Sequence, residues 1–199
     1  MLLEHDFKAT FGIITGSIGT GENFWEYMGE EELKELSGHG MEIACHTATH
    51  PHLIDNLTDE QLREEIIESK KYLENLGFEI NTMVYPYYEW DDRVIEYVKE
   101  AGFTCARGGW PEEGAFKINL PDSESIYHLP SRQITNQDMT TFKSYLDELD
   151  SGDIICLVYH FIADNGPETT STPVINFHEQ MAYLEEAGFT IVLLSDFFE

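Results

Sequence analysis

Short apolar runs alternate with amphipathic segments along most of this chain. The apolar runs of strand length are KATFGIIT (8–15), MEIAC (41–45), NTMVYPY (81–87) and FTCARG (103–108). The segments with helical spacing are EEELKELSGHG (30–40), DEQLREEIIESKKYLENLG (59–77) and DDRVIEYVKEAG (91–102). Because strands and helices alternate, the pattern predicts an α/β fold with a parallel sheet.

The second half of the chain continues the alternation less regularly. It predicts a loop over 108–124, a strand near IYHLP, a helix at DMTTFKSYLDELD, a strand at IICLVYHF, a helix at INFHEQMAYLEEAG and a last strand at FTIVLLS. The sequence EAGFT occurs twice, each time between a helix and a strand, which is how α/β units return to a parallel sheet. We therefore favour a short parallel α/β barrel over an open sheet, in one domain spanning 1–199.

Composition narrows the choice of partners. The formal net charge of −27 argues against nucleic acid, whose phosphates attract Lys and Arg. No stretch approaches the roughly 18 apolar residues of a membrane span. Cys45, Cys105 and Cys156 lie in apolar contexts and cannot all pair, so buried free thiols are expected.

Candidate chemistry is concentrated in GHGMEIACHTATHPHL (38–53). His46 and His50 are four residues apart, which on a strand would separate them by roughly 13 Å but on a turn makes them neighbours. Thr47, Thr49 and Pro51 disfavour a long helix. If the chain leaves its strand at Cys45 and turns, the two imidazoles can bind one metal ion; otherwise they are surface or capping residues.

Several segments, in the same order, are similar to the polysaccharide deacetylase family, carbohydrate esterase family 4 with the NodB homology domain. GHGMEIACHTATHPHL resembles the family's second motif, a strand followed by His-Ser/Thr-x-x-His-Pro. KATFGIITG resembles the strand after the first motif, VYPYYEWDDRVIEYVKEAGF resembles the third motif with its helix, and LVYHFI resembles the last. The resemblance covers nearly all of the chain from about Phe7.

The resemblance implies a distorted (β/α)7-type barrel, NodB-like, and a mechanism. A divalent metal, most often zinc, would be held by His46, His50 and an Asp. Such an open site leaves room for water and substrate. A carboxylate base would take a proton from water, His160 would protonate the departing amine, and the backbone N–H of Tyr87 would complete an oxyanion hole.

The family's first motif, Thr-Phe-Asp-Asp-Gly, does not occur in these 199 residues. It would supply both the base and the third metal ligand, and Asp6 does not match it. Three explanations stay open: an N-terminally incomplete chain, a natural variant whose open barrel edge is covered by a partner chain, or substitution by another carboxylate such as Asp164. An open barrel missing its first strand would expose strand edges, so a homo-oligomer is a reasonable expectation.

The third motif also departs from the family pattern. Many members have Arg-Pro-Pro-Tyr-Gly, whereas this chain has Val-Tyr-Pro-Tyr-Tyr at 84–88. Arg132 is the candidate for the missing arginine, and Tyr88 in place of glycine adds bulk at the rim. Tyr85, Tyr87, Tyr88 and Trp90 are either core aromatics or a platform for sugars. His52 and the remaining histidines have no expected role in the site.

Three hypotheses for function follow. The first is a metal-dependent deacetylase of an N-acetylated glycan, of low activity without the Asp-Asp motif. The second is a catalytically silent module that binds carbohydrate or has a structural role, and the third is a hydrolase of a non-sugar amide. The N-terminus resembles no signal peptide, so a cytoplasmic location is expected if Met1 is the natural start and an exported or cell-envelope location if the chain is truncated.

Overall fold

The computed structural model of this chain describes residues 1–22, 25–109, 117–118 and 125–197. The strands are β1 (Thr10–Ile13), β2 (Gly21–Glu22), β3 (Trp25–Glu26), β4 (Glu42–Cys45), β5 (Thr82–Val84), β6 (Cys105–Arg107), β7 (Lys117–Ile118), β8 (Arg132–Gln133), β9 (Ile154–Ile155), β10 (Leu157–Val158), β11 (Phe161–Ile162) and β12 (Ser171–Thr172). The helices are α1 (Glu30–Gly38), α2 (Asp59–Arg63), α3 (Ser69–Asn75), α4 (Asp92–Glu100), α5 (Met139–Leu146) and α6 (Val174–Glu186). A π-helical turn (Glu64–Glu68) joins α2 to α3.

The residues group into two compact units. The larger unit consists of Lys8–Gly109, Pro121–Leu129 and Val192–Glu199, and the smaller of Met1–Phe7, Trp110–Leu120 and Pro130–Ile191. The interpretation of 1–199 as one domain stays a prediction. Within the described residues, no helix is both long and apolar enough to cross a bilayer.

The larger unit is built on a parallel four-stranded sheet with the order β1-β4-β5-β6. Thr10 lies opposite Glu42, Cys45 opposite Met83, and Val84 opposite Arg107. Every residue of β4, β5 and β6 is buried. This explains why these strands read as continuous apolar runs, since both faces of a parallel sheet are covered. Among the described strands, none pairs with the outer edge of β1.

Helices of the larger unit pack an apolar stripe into its core. Leu62, Ile66 and Leu73, on the α2–π–α3 segment, are fully buried. The Thr58 hydroxyl accepts from the Gln61 N–H (3.2 Å), while the Gln61 side chain accepts from the Thr58 N–H (2.8 Å). These two bonds form a capping box, which marks the start of the helix.

The smaller unit has a separate core around its two helices. Phe142 of α5 and Phe177, Met181 and Leu184 of α6 are buried in it. The short strands pair two by two: β8 with β10 and β11 with β12 in parallel, and β7 with β9 antiparallel.

The sequence-based elements of the second half were partly wrong. The strand predicted at FTIVLLS (189–195) does not form, because the N–H groups of Leu193 and Leu194 bond to the side chains of Asp196 and Thr10 instead of a strand ladder. IYHLP contributes only a single bridge from Leu129 to Arg107. The strand predicted at IICLVYHF is broken into β9, β10 and β11. Of the loop predicted over 108–124, 110–116 and 119–124 lie outside the described residues.

Candidate metal and catalytic site

The carboxyl ends of β4, β5 and β6 lie at one edge of the parallel sheet. β4 is followed by His46, β5 by Tyr85, and β6 ends at Arg107. Sites in α/β folds are built at this edge because the loops that leave adjacent parallel strands meet there.

His46 and His50 are neighbours in the structure. The strand ends at Cys45, as predicted, and the chain turns so that the two ring centroids lie 4.6 Å apart at an interplanar angle of 85°. A turn of this kind places both imidazoles close enough to share one ion.

Hydrogen bonding and burial favour the protonation form of each imidazole that binds metal. The Val84 carbonyl lies 2.6 Å from Nδ1 of His46. Because a carbonyl only accepts, Nδ1 carries the proton and Nε2 carries the lone pair, which is the arrangement in which a histidine binds metal. Burial lowers the pKa of His50, with a smaller contribution in the same direction from the nearby Arg107, and this favours the neutral imidazole that binds metal.

The loop that carries the two histidines is held in an unusual backbone conformation. Thr47 has φ 66° and His50 has φ 60°, both in the left-handed region that non-glycine residues rarely adopt. The Thr47 hydroxyl accepts from the His50 N–H at 2.9 Å. The chain after β1 donates to the same loop, from the Thr15 N–H to the Thr47 carbonyl (3.1 Å) and from the Gly16 N–H to the Ala48 carbonyl (2.8 Å).

Aromatic side chains after β5 border the histidine pair. The Tyr87 ring contacts the His50 ring edge-on at 4.7 Å and stacks on His52 at 3.8 Å. Nδ1 of His52 lies 2.9 Å from a Glu89 oxygen. Tyr87 is 48% exposed, whereas Tyr85 is fully buried. Tyr85 is therefore a core residue, and the surface available to a ligand belongs to Tyr87 and its neighbours.

Two residues of this region were missed in the sequence. Arg107 is buried, lies over the Tyr88 ring at 4.7 Å and is near enough to His50 to lower its pKa. The sequence signal for Arg107 was its position as a charged residue at the end of an apolar strand. Glu65 accepts hydrogen bonds from the histidine loop. The sequence signal for Glu65 was its spacing of three from Leu62 and four from Ser69, which places it on the buried face of the helix.

The other predicted site residues belong to the smaller unit. His160 is exposed after β10, and the guanidinium of Arg132 lies 3.9 Å from the centre of the Tyr145 ring. Asp164 accepts from the Val174 N–H (3.0 Å) at the start of α6, which gives its carboxylate a structural role. The roles of His160 and Arg132 in the site stay predictions.

The donor set for a metal is incomplete in the described parts of the chain. No group of three His, Cys, Asp or Glu residues there is arranged to hold an ion. His46 and His50 therefore fit two of the three protein ligands that an open catalytic metal site requires. The third ligand is not found among the described residues.

The comparisons with known proteins decide the family. The polysaccharide deacetylase family model matches residues 1–106. The chain belongs to the polysaccharide deacetylase family. The protein named "Putative polysaccharide deacetylase YxkH" of Bacillus subtilis (strain 168) is 30% identical over 104 residues, which is 52% of this chain. The match spans only 36% of the length of that relative.

Solved structures of family members share the fold of this deacetylase-family chain. The Xyl-CE4 domain of a multidomain xylanase from the hindgut metagenome of Trinervitermes trinervoides has a TM-score of 0.64 and 17% identity, covering 99% of this chain and 79% of that one. A family 4 acetyl xylan esterase from Clostridium thermocellum, solved with a cobalt ion, has a TM-score of 0.61 and 16% identity, covering 99% and 80%. The fold is thus the NodB-like α/β fold that the sequence predicted.

Proposed function

We propose that this chain is the metal-binding part of a deacetylase that removes acetyl groups from an N-acetylated glycan. The observation that carries the proposal is the histidine pair at the carboxyl ends of the parallel strands, 4.6 Å apart, in a chain of the polysaccharide deacetylase family. The cobalt ion in the acetyl xylan esterase structure agrees with a divalent metal, and zinc is the ion we expect.

The residues present suit the hydrolysis of an acetamide to an amine and acetate. His46 and His50 would hold the ion, which when bound lowers the pKa of a water molecule and polarises the acetamide carbonyl. The Val84 carbonyl keeps the proton of His46 on Nδ1, and burial lowers the pKa of His50, which favours its neutral form. The Tyr87 N–H is the proposed donor to the carbonyl oxygen as negative charge develops on it.

The remaining roles are those that the resemblance to the family implies. His160 would protonate the amine as the C–N bond breaks, and Arg132 would orient the base. The carboxylate base and third ligand of the family's first motif do not occur in these 199 residues. We therefore expect these 199 residues to bind metal but to release little acetate.

Metal analysis and acetate release test this proposal. Protein purified without chelator is analysed for bound metal, and zinc binding is titrated for the unmodified chain and for the double variant His46→Ala/His50→Ala. The double variant should lose zinc binding. His39→Ala, which replaces an exposed histidine after α1, is the matched control and should bind normally. Zinc binding that is unchanged in the double variant would disprove the metal site.

A second candidate is a catalytically silent member of the fold that binds carbohydrate. It is favoured by the incomplete donor set within the described residues. Acetate release from N-acetylated chito-oligosaccharides separates the two candidates when a Thr-Phe-Asp-Asp-Gly strand is supplied upstream. Release that depends on His46 supports the deacetylase, and its absence with retained sugar binding supports the silent module.

A further inference from the structure

Within the part of the chain that the structure describes, the buried Glu65 carboxylate hydrogen-bonds only to the histidine loop. One of its oxygens accepts from the N–H groups of Ala48 (2.9 Å) and Thr49 (2.9 Å), and the other accepts from the Thr49 hydroxyl (2.6 Å). Glu65 is 9% exposed, and within the described residues the nearby Arg63, Lys70 and Lys71 pair with other carboxylates. A buried charge is costly unless it is hydrogen-bonded, so the loop donors are what stabilise this carboxylate.

Glu65 lies in the π-helical turn. The turn widens the helix over Glu64–Glu68, and such turns often occur at functional sites. The Ser69 hydroxyl lies 2.5 Å from the Glu65 carbonyl and 3.1 Å from the Ile66 carbonyl, and 3.0 Å from the Cys45 thiol. The side of the helix that carries Glu65 is thereby tied to the end of β4, one residue before His46.

The backbone conformation of the loop directs two N–H groups at the Glu65 carboxylate. The left-handed conformations at Thr47 and His50 flank the two N–H groups that converge on a single Glu65 oxygen. Left-handed non-glycine residues are strained and persist only where surrounding contacts determine them. Glu65 thus accepts from N–H groups of the loop, whereas Thr15 and Gly16 donate to carbonyls of the loop.

We propose that Glu65 is a positioning residue, which holds the His46–His50 loop so that the two imidazoles are presented to one metal ion. This inference rests on the proposed metal-binding function. It extends that function, because Glu65 lies 15 residues beyond His50 in the chain and has no role in the proposed metal ligation or hydrolysis. Residues that hydrogen-bond the supports of metal ligands commonly change metal affinity without touching the ion.

Zinc titration by calorimetry of Glu65→Ala tests the proposal. The variant should bind Zn²⁺ about 10- to 100-fold more weakly than the unmodified chain, since two loop N–H groups and one hydroxyl lose their acceptor. Glu65→Gln should lose less, because its amide oxygen can still accept from both N–H groups. Glu64→Gln, an exposed neighbour in the same turn, is the matched control and should bind as the unmodified chain does.

The visible absorption of bound Co²⁺ gives a second readout, because it reports the geometry around the ion. We expect the spectrum of Glu65→Ala to change and that of Glu64→Gln to stay the same. If Glu65→Ala does not fold by circular dichroism, Glu65→Asp replaces it. Its shorter carboxylate cannot reach both loop N–H groups, and its Zn²⁺ affinity should fall about fivefold or more.

The outcomes separate this inference from the function on which it rests. If His46→Ala/His50→Ala abolishes Zn²⁺ binding but a folded Glu65 variant binds normally, the positioning role is wrong and the metal site stands. If the double histidine variant binds normally, the proposed function itself is wrong. A Glu65 variant that lowers the unfolding temperature but leaves Zn²⁺ affinity and the Co²⁺ spectrum unchanged shows a merely structural role and overturns the inference.

Discussion

The close approach of the chain after β1 to the histidine loop can be tested by adding one methyl group at Gly16. The Gly16 N–H donates to the Ala48 carbonyl at 2.8 Å, and a Cβ built on Gly16 would lie 2.6 Å from that same oxygen. This separation is shorter than real Cβ atoms show, and the contact is with backbone, so the loop or the strand end must move.

The expected cost of Gly16→Ala follows from opposing contributions. Replacing glycine by alanine at a tolerant position stabilises by about 0.4–1 kcal/mol through the unfolded chain. Forcing extra volume into a packed site costs about 1–3 kcal/mol. Weakening one hydrogen bond costs about 1 kcal/mol more. The net result is a loss of about 2 kcal/mol in the free energy of unfolding, which for a chain of this length lowers the melting temperature by about 4–8 °C.

Thermal unfolding followed by circular dichroism measures this loss. Gly38→Ala is the matched control, because Gly38 ends α1 and a Cβ there would meet no atom within 4 Å. The control should be neutral or stabilised by up to about 1 kcal/mol. If Gly16→Ala melts at the same temperature as Gly38→Ala, the close contact between the β1 end and the histidine loop is not as described.

Three further predictions concern the core, a helix start and a thiol. Phe142→Ala should lower the free energy of unfolding by about 3–5 kcal/mol in chemical denaturation, because the ring is fully buried in the smaller unit. Thr58→Ala should cost about 1 kcal/mol by the same measurement, since it removes the acceptor for the Gln61 N–H, and an unchanged midpoint would contradict the capping box. Burial raises the pKa of the Cys45 thiol to about 11, so alkylation of the native protein at pH 8, followed by mass spectrometry, should modify Cys45 later than the half-buried Cys156. Rapid modification of Cys45 without unfolding would show that the end of β4 is open.

Local patterns in the sequence determined most of the helices and the strands of the parallel sheet. The Thr58–Gln61 capping box and the apolar stripe of the following helix depend on residues three and four apart, so they could be predicted without the fold. The turn at His46–His50 was also predictable, because two residues four apart can share an ion only if the strand ends before them. The sequence-based predictions were wrong where contacts with residues distant in the chain determine the local structure, as for the strand predicted at 189–195.

Only the tertiary structure decided which residues surround the histidine pair. Glu65 reads in the sequence as one of several acids on an acidic helix, and its contact with Ala48 and Thr49 exists because the helix packs against the end of β4. Arg107 lies near His50 because β4, β5 and β6 are neighbours in that order in the sheet, although these strands are more than 20 residues apart in the chain. Hydrogen bonds and charges act through space, so the composition of the site depends on strand order and register, which periodicity along the chain does not encode.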